Sequence, residues 1–133
     1  MTFLYTHCPD VCPLIASTLH AAYAGLAPQL RSRVAIVAVS VDPRGDTPAT
    51  VAAFLREHQL TGEASYLIGA ASELVPVWRA WNVGSEQDLS HPDRVDHTAL
   101  IYGIGASGKI VTVYTSEVRA REVAHDVPGL LAS

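Results

Sequence analysis

Apolar residues along this chain change their period several times, and each change marks an element. Thr2 to Thr6 is a short β-branched and aromatic run, consistent with a strand. After it, Ile15, Leu19, Ala22, Tyr23, Leu26 and Leu30 recur at helical spacing and define one apolar face. Pro13 suits the first turn of that helix, where a missing N–H costs nothing. Arg33 to Val41 is a nearly continuous β-branched run, as expected of a central strand covered on both faces, and it ends at Asp42-Pro43. Asp46-Thr47-Pro48 reads as a cap with a first-position proline, followed by Val51, Phe54, Leu55 and His58 at helical spacing. Tyr66 to Ile68 predicts a short strand. Ser72 to Trp81 predicts a helix with Leu74, Val77, Trp78 and Trp81 on one face and Pro76 near its first turn. Residues 82–94 are polar and irregular, long enough for a functional loop. His97 to Ile104 and Lys109 to Thr115 flank Gly105-Ala106-Ser107-Gly108, a hairpin pattern. A last amphipathic piece carries Val123, Val127, Leu130 and Leu131, and Pro128-Gly129 is expected to break it.

The order is β-α-β, a helical insertion, then β-β-α. A parallel unit followed by an antiparallel hairpin and a closing helix is the minimal thioredoxin arrangement. The expected fold class is therefore α/β, thioredoxin-like, with a central mixed sheet flanked by helices. At 133 residues, with no repeat, linker or low-complexity segment, the chain is one domain. Hydrophobic residues make up 49 % and charged ones 17 %, which supplies a core and excludes disorder. The net charge of −4, with no cluster of Lys and Arg, argues against a nucleic-acid or anionic-membrane surface. No residue from Val11 to Leu30 carries a formal charge, but Pro13, Ser17, Thr18, His20, Gly25, Pro28 and Gln29 would be penalised in hydrocarbon. An amphipathic, buried helix fits better. Met1 leads straight into Thr2-Phe3-Leu4-Tyr5 without the basic region of a signal peptide.

Two cysteines are too few for a disulfide scaffold. Both fall in Thr6-His7-Cys8-Pro9-Asp10-Val11-Cys12-Pro13, where the first strand turns into the first helix. Their C-x-x-x-C spacing can bring the Cα atoms to about 6 Å, inside the range a disulfide allows. The same separation lets two sulfurs bind one metal. Pro9 and Pro13 restrict the loop, and the helix N-terminus favours thiolate over thiol. The pattern does not choose between redox and metal chemistry. Two thiolates rarely satisfy a metal, so a third ligand is sought among six histidines. His20, His58 and His125 read as structural or surface residues. His7, next to Cys8 in an extended segment, points away from it. His91 sits in the polar loop, either solvated or folded over the site. His97 starts the third core strand, which in a thioredoxin-like layout is entered from a loop facing the cysteines. It reads equally as a ligand or as a hydrogen-bonded core histidine, with Asp96 beside it as its partner or as a solvated charge. Two sulfurs and an imidazole suit Cu(I) and accept Cu(II) or Zn(II).

These residues resemble a known family. Tyr5-Thr6-His7-Cys8-Pro9-Asp10-Val11-Cys12-Pro13 is similar to the signature of the Sco/SenC proteins. So are Val39-Ser40-Val41-Asp42-Pro43 with Asp46-Thr47-Pro48, and Val95-Asp96-His97-Thr98-Ala99-Leu100-Ile101-Tyr102. The resemblance implies a copper-binding, thioredoxin-like protein that helps assemble the binuclear copper centre of cytochrome c oxidase. It carries the copper ligands onto Cys8, Cys12 and His97, with Asp10, between the cysteines, as a neighbour that tunes the site. Asp42 and Asp46 match acidic family positions but read as capping and turn residues. Gly45 and Gly105 depart from the family, which often has Arg and Asp there. The resemblance also implies a membrane anchor and further strands ahead of the first core strand. The expectation is one domain over 1–133 lacking them, acting on the extracytoplasmic side of a membrane.

Three functions from different classes follow. The leading one is a metallochaperone that holds a copper ion, Cu(I) or Cu(II), and passes it to the copper-bearing subunit of cytochrome c oxidase or to another copper chaperone. The second is a thiol–disulfide oxidoreductase that reduces a partner's copper-binding cysteines through a Cys8–Cys12 redox disulfide. The third is a peroxiredoxin-like peroxidase, disfavoured because no Arg flanks Cys8. His97 discriminates the first two, since a pure dithiol exchanger has no use for it. Oxidation of the pair consumes both sulfur ligands, so copper loading and redox state are coupled.

Overall fold

The computed structural model describes residues 1–83 and 99–133. Strand β1 (Thr2–Leu4) is central in a five-stranded sheet. On one side it pairs in parallel with β2 (Ile36–Ser40), which pairs in parallel with β3 (Ala64–Leu67). On the other side it pairs antiparallel with β4 (Ile101–Ile104), which forms a hairpin with β5 (Ile110–Tyr114). The order β3-β2-β1-β4-β5 places the parallel half and the antiparallel half on opposite sides of β1. The helices are α1 (Val11–Ala24), the single turn α2 (Pro28–Arg31), α3 (Pro48–Glu57), α4 (Ala71–Ala80) and α5 (Ala120–Leu131). No helix among the described residues is long and apolar enough to cross a membrane.

Thr2, Phe3 and Leu4 are all buried, as the middle strand of a two-sided sheet requires. Alternation along β1 sends Leu4 and Phe3 into different cores. Leu4 packs with Ile15, Ala16 and Leu19 of α1, Phe54 of α3, and both cysteines. Phe3 packs with Val39, Val41, Leu74 and Trp78, against α4. Trp81 and Tyr102 close this second core edge-on, their rings 5.0 Å apart. The Trp78 indole N–H donates to the Ser40 carbonyl (2.8 Å), tying α4 to the end of β2. α5 lies against α1.

Several elements differ from their sequence expectation. The apolar stripe of α1 does not run to Leu30 as one helix: the helix stops at Ala24, and Ala27, held extended ahead of Pro28, starts a separate turn. Pro76 lies in the interior of α4, and Pro128-Gly129 leave α5 unbroken to Leu131. Each of these prolines removes an amide bond and crowds the carbonyl one turn back. Buried Leu74 and Trp78 hold α4 against the core across Pro76, and buried Val127 holds α5 across Pro128. The hairpin at 105–108 forms as expected, with Gly108 at φ +81°. Gly103 of β4 is required by packing, since a Cβ there would meet Thr112 Cγ2 at 2.5 Å.

Candidate functional site

The β1 ladder ends where the Val41 amide donates to the Leu4 carbonyl (2.9 Å), and the chain then turns into the cysteine loop. The Cys8 amide donates to the Tyr5 carbonyl (3.3 Å), closing a turn that returns Cys8 to the core. α1 begins at Val11, so Cys12 and Pro13 are its second and third residues. Asp10 holds the N-cap position without a side-chain cap bond. Cys8 supplies what Asp10 does not: the Cys12 amide donates to Cys8 Sγ (3.4 Å), so a sulfur caps the helix. Both cysteines are free and buried, Cys8 8 % and Cys12 3 % exposed.

The two thiols differ in acidity. The Cys12 thiol donates to Cys8, and the amides of Asp10 and Cys12 and the Tyr5 hydroxyl add to it. Together they overcome the cost of burial and lower Cys8 to about 5. Cys12 is pushed well above the ordinary thiol range, first by donating to Cys8 and then by burial. The pair is thus one thiolate and one thiol sharing a proton. Alkylation of the reduced protein by iodoacetamide is expected to follow this asymmetry. Cys8 should react with a pH midpoint near 5 and be on its plateau by neutral pH. Cys12 should be modified only after unfolding. Peptide mapping checks this, and a midpoint above 8 for Cys8 would refute it.

Asp46 is the residue whose role the sequence misjudged. It is not the cap of α3: Thr47 is, accepting from the Thr50 amide at 3.2 Å. Asp46 is 4 % exposed and accepts four hydrogen bonds. Its Oδ1 takes the Thr6 amide and the Thr6 hydroxyl, both at 2.8 Å. Its Oδ2 takes the Ser40 hydroxyl (2.7 Å) and the Tyr66 hydroxyl (3.0 Å). Burial, with Asp46 next to it, raises the Tyr66 phenol above its ordinary range. Asp42 is a turn residue as expected, its Oδ1 accepting from the Gly45 amide at 3.0 Å. Gly45 permits this fold, because a Cβ there would run into Asp42 Oδ2 and come within 3.1 Å of His7 Nδ1.

Among the described residues, one group of three metal-ligating side chains has its donor atoms within 4.8 Å of one another: His7, Asp42 and Asp46. The lone pairs of Asp46 are already taken by four donors, which makes this group a hydrogen-bonded junction beside the cysteines. His7 belongs to it, its Nδ1 3.3 Å from Thr6 Oγ1. His20 pairs with Glu63 (2.9 Å), His58 packs its ring at a tilt against Phe54, and His125 is exposed beside Asp126. His91, Asp96 and His97 lie outside the described residues. Ala99, two residues after His97, is buried in the same core cluster as Cys8 and Cys12. No local pattern marks Asp46, since its donors come from positions 6, 40 and 66.

The arrangement is similar to known proteins over almost its whole length. The SCO1/SenC family profile matches residues 1–132. The mouse protein "SCO1 homolog, mitochondrial" is 27 % identical over 98 % of this chain. The chain spans about half of that relative, 47 % of its length. Among solved structures, Bradyrhizobium japonicum ScoI with copper bound is 31 % identical, with a TM-score of 0.71 over 98 % of this chain and 82 % of the other. Arabidopsis thaliana ScoI with copper bound is 25 % identical, with a TM-score of 0.74 over 98 % and 80 %. The mixed sheet flanked by helices is thioredoxin-like, as in these structures. With a profile match over essentially its full length, the chain belongs to the SCO1/SenC family.

Proposed function

We propose that this chain is a copper metallochaperone that holds one ion through Cys8, Cys12 and His97 and delivers it by ligand exchange. The observation that carries the reading is the cysteine pair itself: two free sulfurs, one held as thiolate, at the N-terminus of α1. Soft thiolates select copper over the hard cations, and an imidazole completes a three-ligand set for either oxidation state. Ala99 supports His97 as that imidazole, because the segment leading into β4 enters the core cluster that contains both sulfurs. Two structural relatives in which copper is bound support the choice of metal. The acceptor is the copper-bearing subunit of cytochrome c oxidase or a second copper chaperone, met on the extracytoplasmic side of a membrane. Asp10 contributes its backbone amide to Cys8, and Asp96, next to His97 in the sequence, is the residue proposed to tune that imidazole.

A second activity is favoured by the unequal acidity of the thiols. The Cys8 thiolate attacks a partner's disulfide and displaces one partner sulfur, which takes a proton. Cys12 then gives up its proton and attacks Cys8, releasing the partner's second sulfur and leaving a Cys8–Cys12 disulfide. Two electrons pass to the partner, reducing its copper-binding cysteines. The two roles share the sulfurs and alternate with redox state.

The test is a titration of reduced and oxidised protein with Cu(I) and Cu(II). Reduced protein is expected to take up one copper with a thiolate-to-Cu(II) absorption band. The disulfide form should hold copper weakly, since one imidazole remains of the three ligands. Equal retention by both forms would overturn the assignment.

A further inference from the structure

We infer that Asp46 is a positioning residue for the sulfur pair, holding the Cys8–Cys12 loop in its two-sulfur geometry through Thr6. This rests on the proposed use of both sulfurs, for copper or for exchange. Sheet pairing releases the chain after Leu4, four residues before Cys8. Between the ladder and the helix, the Cys8 amide donates to the Tyr5 carbonyl and the Thr6 amide to Asp46. The first is local and moves with the loop. Only the second of these ties the loop to the rest of the fold, and the Thr6 hydroxyl doubles it.

Asp46 can serve as a fixed point because it is itself held from every side. Its amide donates to the Asp42 carbonyl (2.9 Å), and the capped start of α3 follows directly. Ser40 brings in the end of β2 and Tyr66 brings in β3. A carboxylate is suited to the task. It accepts four donors, whereas an amide of the same shape offers one oxygen and turns two donors of its own toward Ser40 and Tyr66. Hydrogen bonds to an ionised acceptor are also about twice as strong as neutral ones. Both functions of the pair gain from this anchoring. A disulfide closes, and a metal is bound, more favourably when the two sulfurs are already together.

The experiment equilibrates the protein with a glutathione redox buffer and separately titrates it with Cu(II). In Asp46→Asn the equilibrium constant for closing the Cys8–Cys12 disulfide is expected to fall about tenfold, about 30 mV for a two-electron couple. The Cu(II) affinity should fall by a similar factor, as when a supporting hydrogen bond to a ligand is lost. A control separates positioning from general stability. Leu74→Ala weakens the other core cluster and should leave the disulfide equilibrium at the parent value. If Asp46→Asn does not fold, Thr6→Val deletes the hydroxyl contact at constant shape and should shift the equilibrium in the same direction by a smaller factor. A folded Asp46→Asn, or failing that Thr6→Val, with an unchanged equilibrium would overturn the inference, as would an equal shift in Leu74→Ala. A parent protein that binds no copper would defeat the metallochaperone reading, and the glutathione arm would still decide the role of Asp46.

Discussion

Cys12→Ser is expected to accumulate as a Cys8–glutathione mixed disulfide in an oxidising glutathione buffer, whereas Cys8→Ser should remain largely unmodified. The difference follows from the cap geometry. In the parent, Cys8 receives the amides of Asp10 and Cys12 and the Tyr5 hydroxyl, none of which depends on the Cys12 sulfur. Replacing Cys12 leaves those three donors in place, and a serine hydroxyl can take over as the fourth. Cys8 therefore stays a thiolate with no neighbour to resolve the mixed disulfide. In Cys8→Ser the remaining thiol is Cys12, 3 % exposed and held protonated by burial. It is neither reachable nor ionised. Both variants lose one of two sulfur ligands, and each should bind copper more weakly by more than about a hundredfold, beyond what loss of an outer hydrogen-bond partner costs. Mass spectrometry of the buffered proteins and a competitive copper titration check the two halves. Equal glutathionylation of the two variants would contradict the assignment of Cys8 as the attacking sulfur.

His97→Ala is expected to separate the two proposed activities. Imidazole supplies a bond to copper but takes no electrons from a disulfide. The substitution should lower Cu(II) affinity by about a hundredfold or more, again by reference to the smaller cost of losing a supporting partner. Cu(I) should suffer less, because two thiolates alone suit a linear Cu(I) ion. The Cys8–Cys12 equilibrium with glutathione should stay at the parent value. Parallel titrations with Cu(I), Cu(II) and the redox buffer give the three readings. Unchanged Cu(II) affinity would remove His97 as a ligand, move the oxidoreductase ahead, and make His91 the next residue to substitute.

The cysteine site shows how the linear pattern relates to its chemistry. C-x-x-x-C at a strand-to-helix junction is a local feature, so its spacing, its prolines and its place at the N-terminus of α1 were readable from the chain. The direction of the acidity difference was not. It depends first on the Cys12 thiol donating to Cys8, and then on the Asp10 and Cys12 amides and the Tyr5 hydroxyl converging on the same sulfur. His7 shows the same limit. The extended segment expected there is a turn, which leaves His7 exposed and Cys8 buried. The neighbours Asp42 and Asp46 of His7 come from the loop after β2, which lies next to the end of β1 because β1 and β2 run parallel.

Periodicity and turn chemistry by themselves determined the β-α-β and β-β-α halves, the hairpin at 105–108 and the cysteine loop. Each is a property of neighbouring residues: an apolar face, a proline at a helix start, a glycine with positive φ. The β-branched run is an interior strand, between β1 and β3, while the centre of the sheet falls to β1. The break ahead of Pro28 is local, since proline holds Ala27 extended, whereas the continuation of α4 through Pro76 and of α5 through Pro128 was decided by the packing of their buried faces. The role of Asp46 was decided by tertiary structure alone. In sequence it sits in Asp46-Thr47-Pro48 and looks like a helix cap, a surface role. It becomes a buried four-donor junction only when β1, β2 and β3 align and bring Thr6, Ser40 and Tyr66 around one carboxylate. A charged group is tolerated in such a place only when its hydrogen bonds are satisfied, and the donors that satisfy this one are up to 40 residues away along the chain.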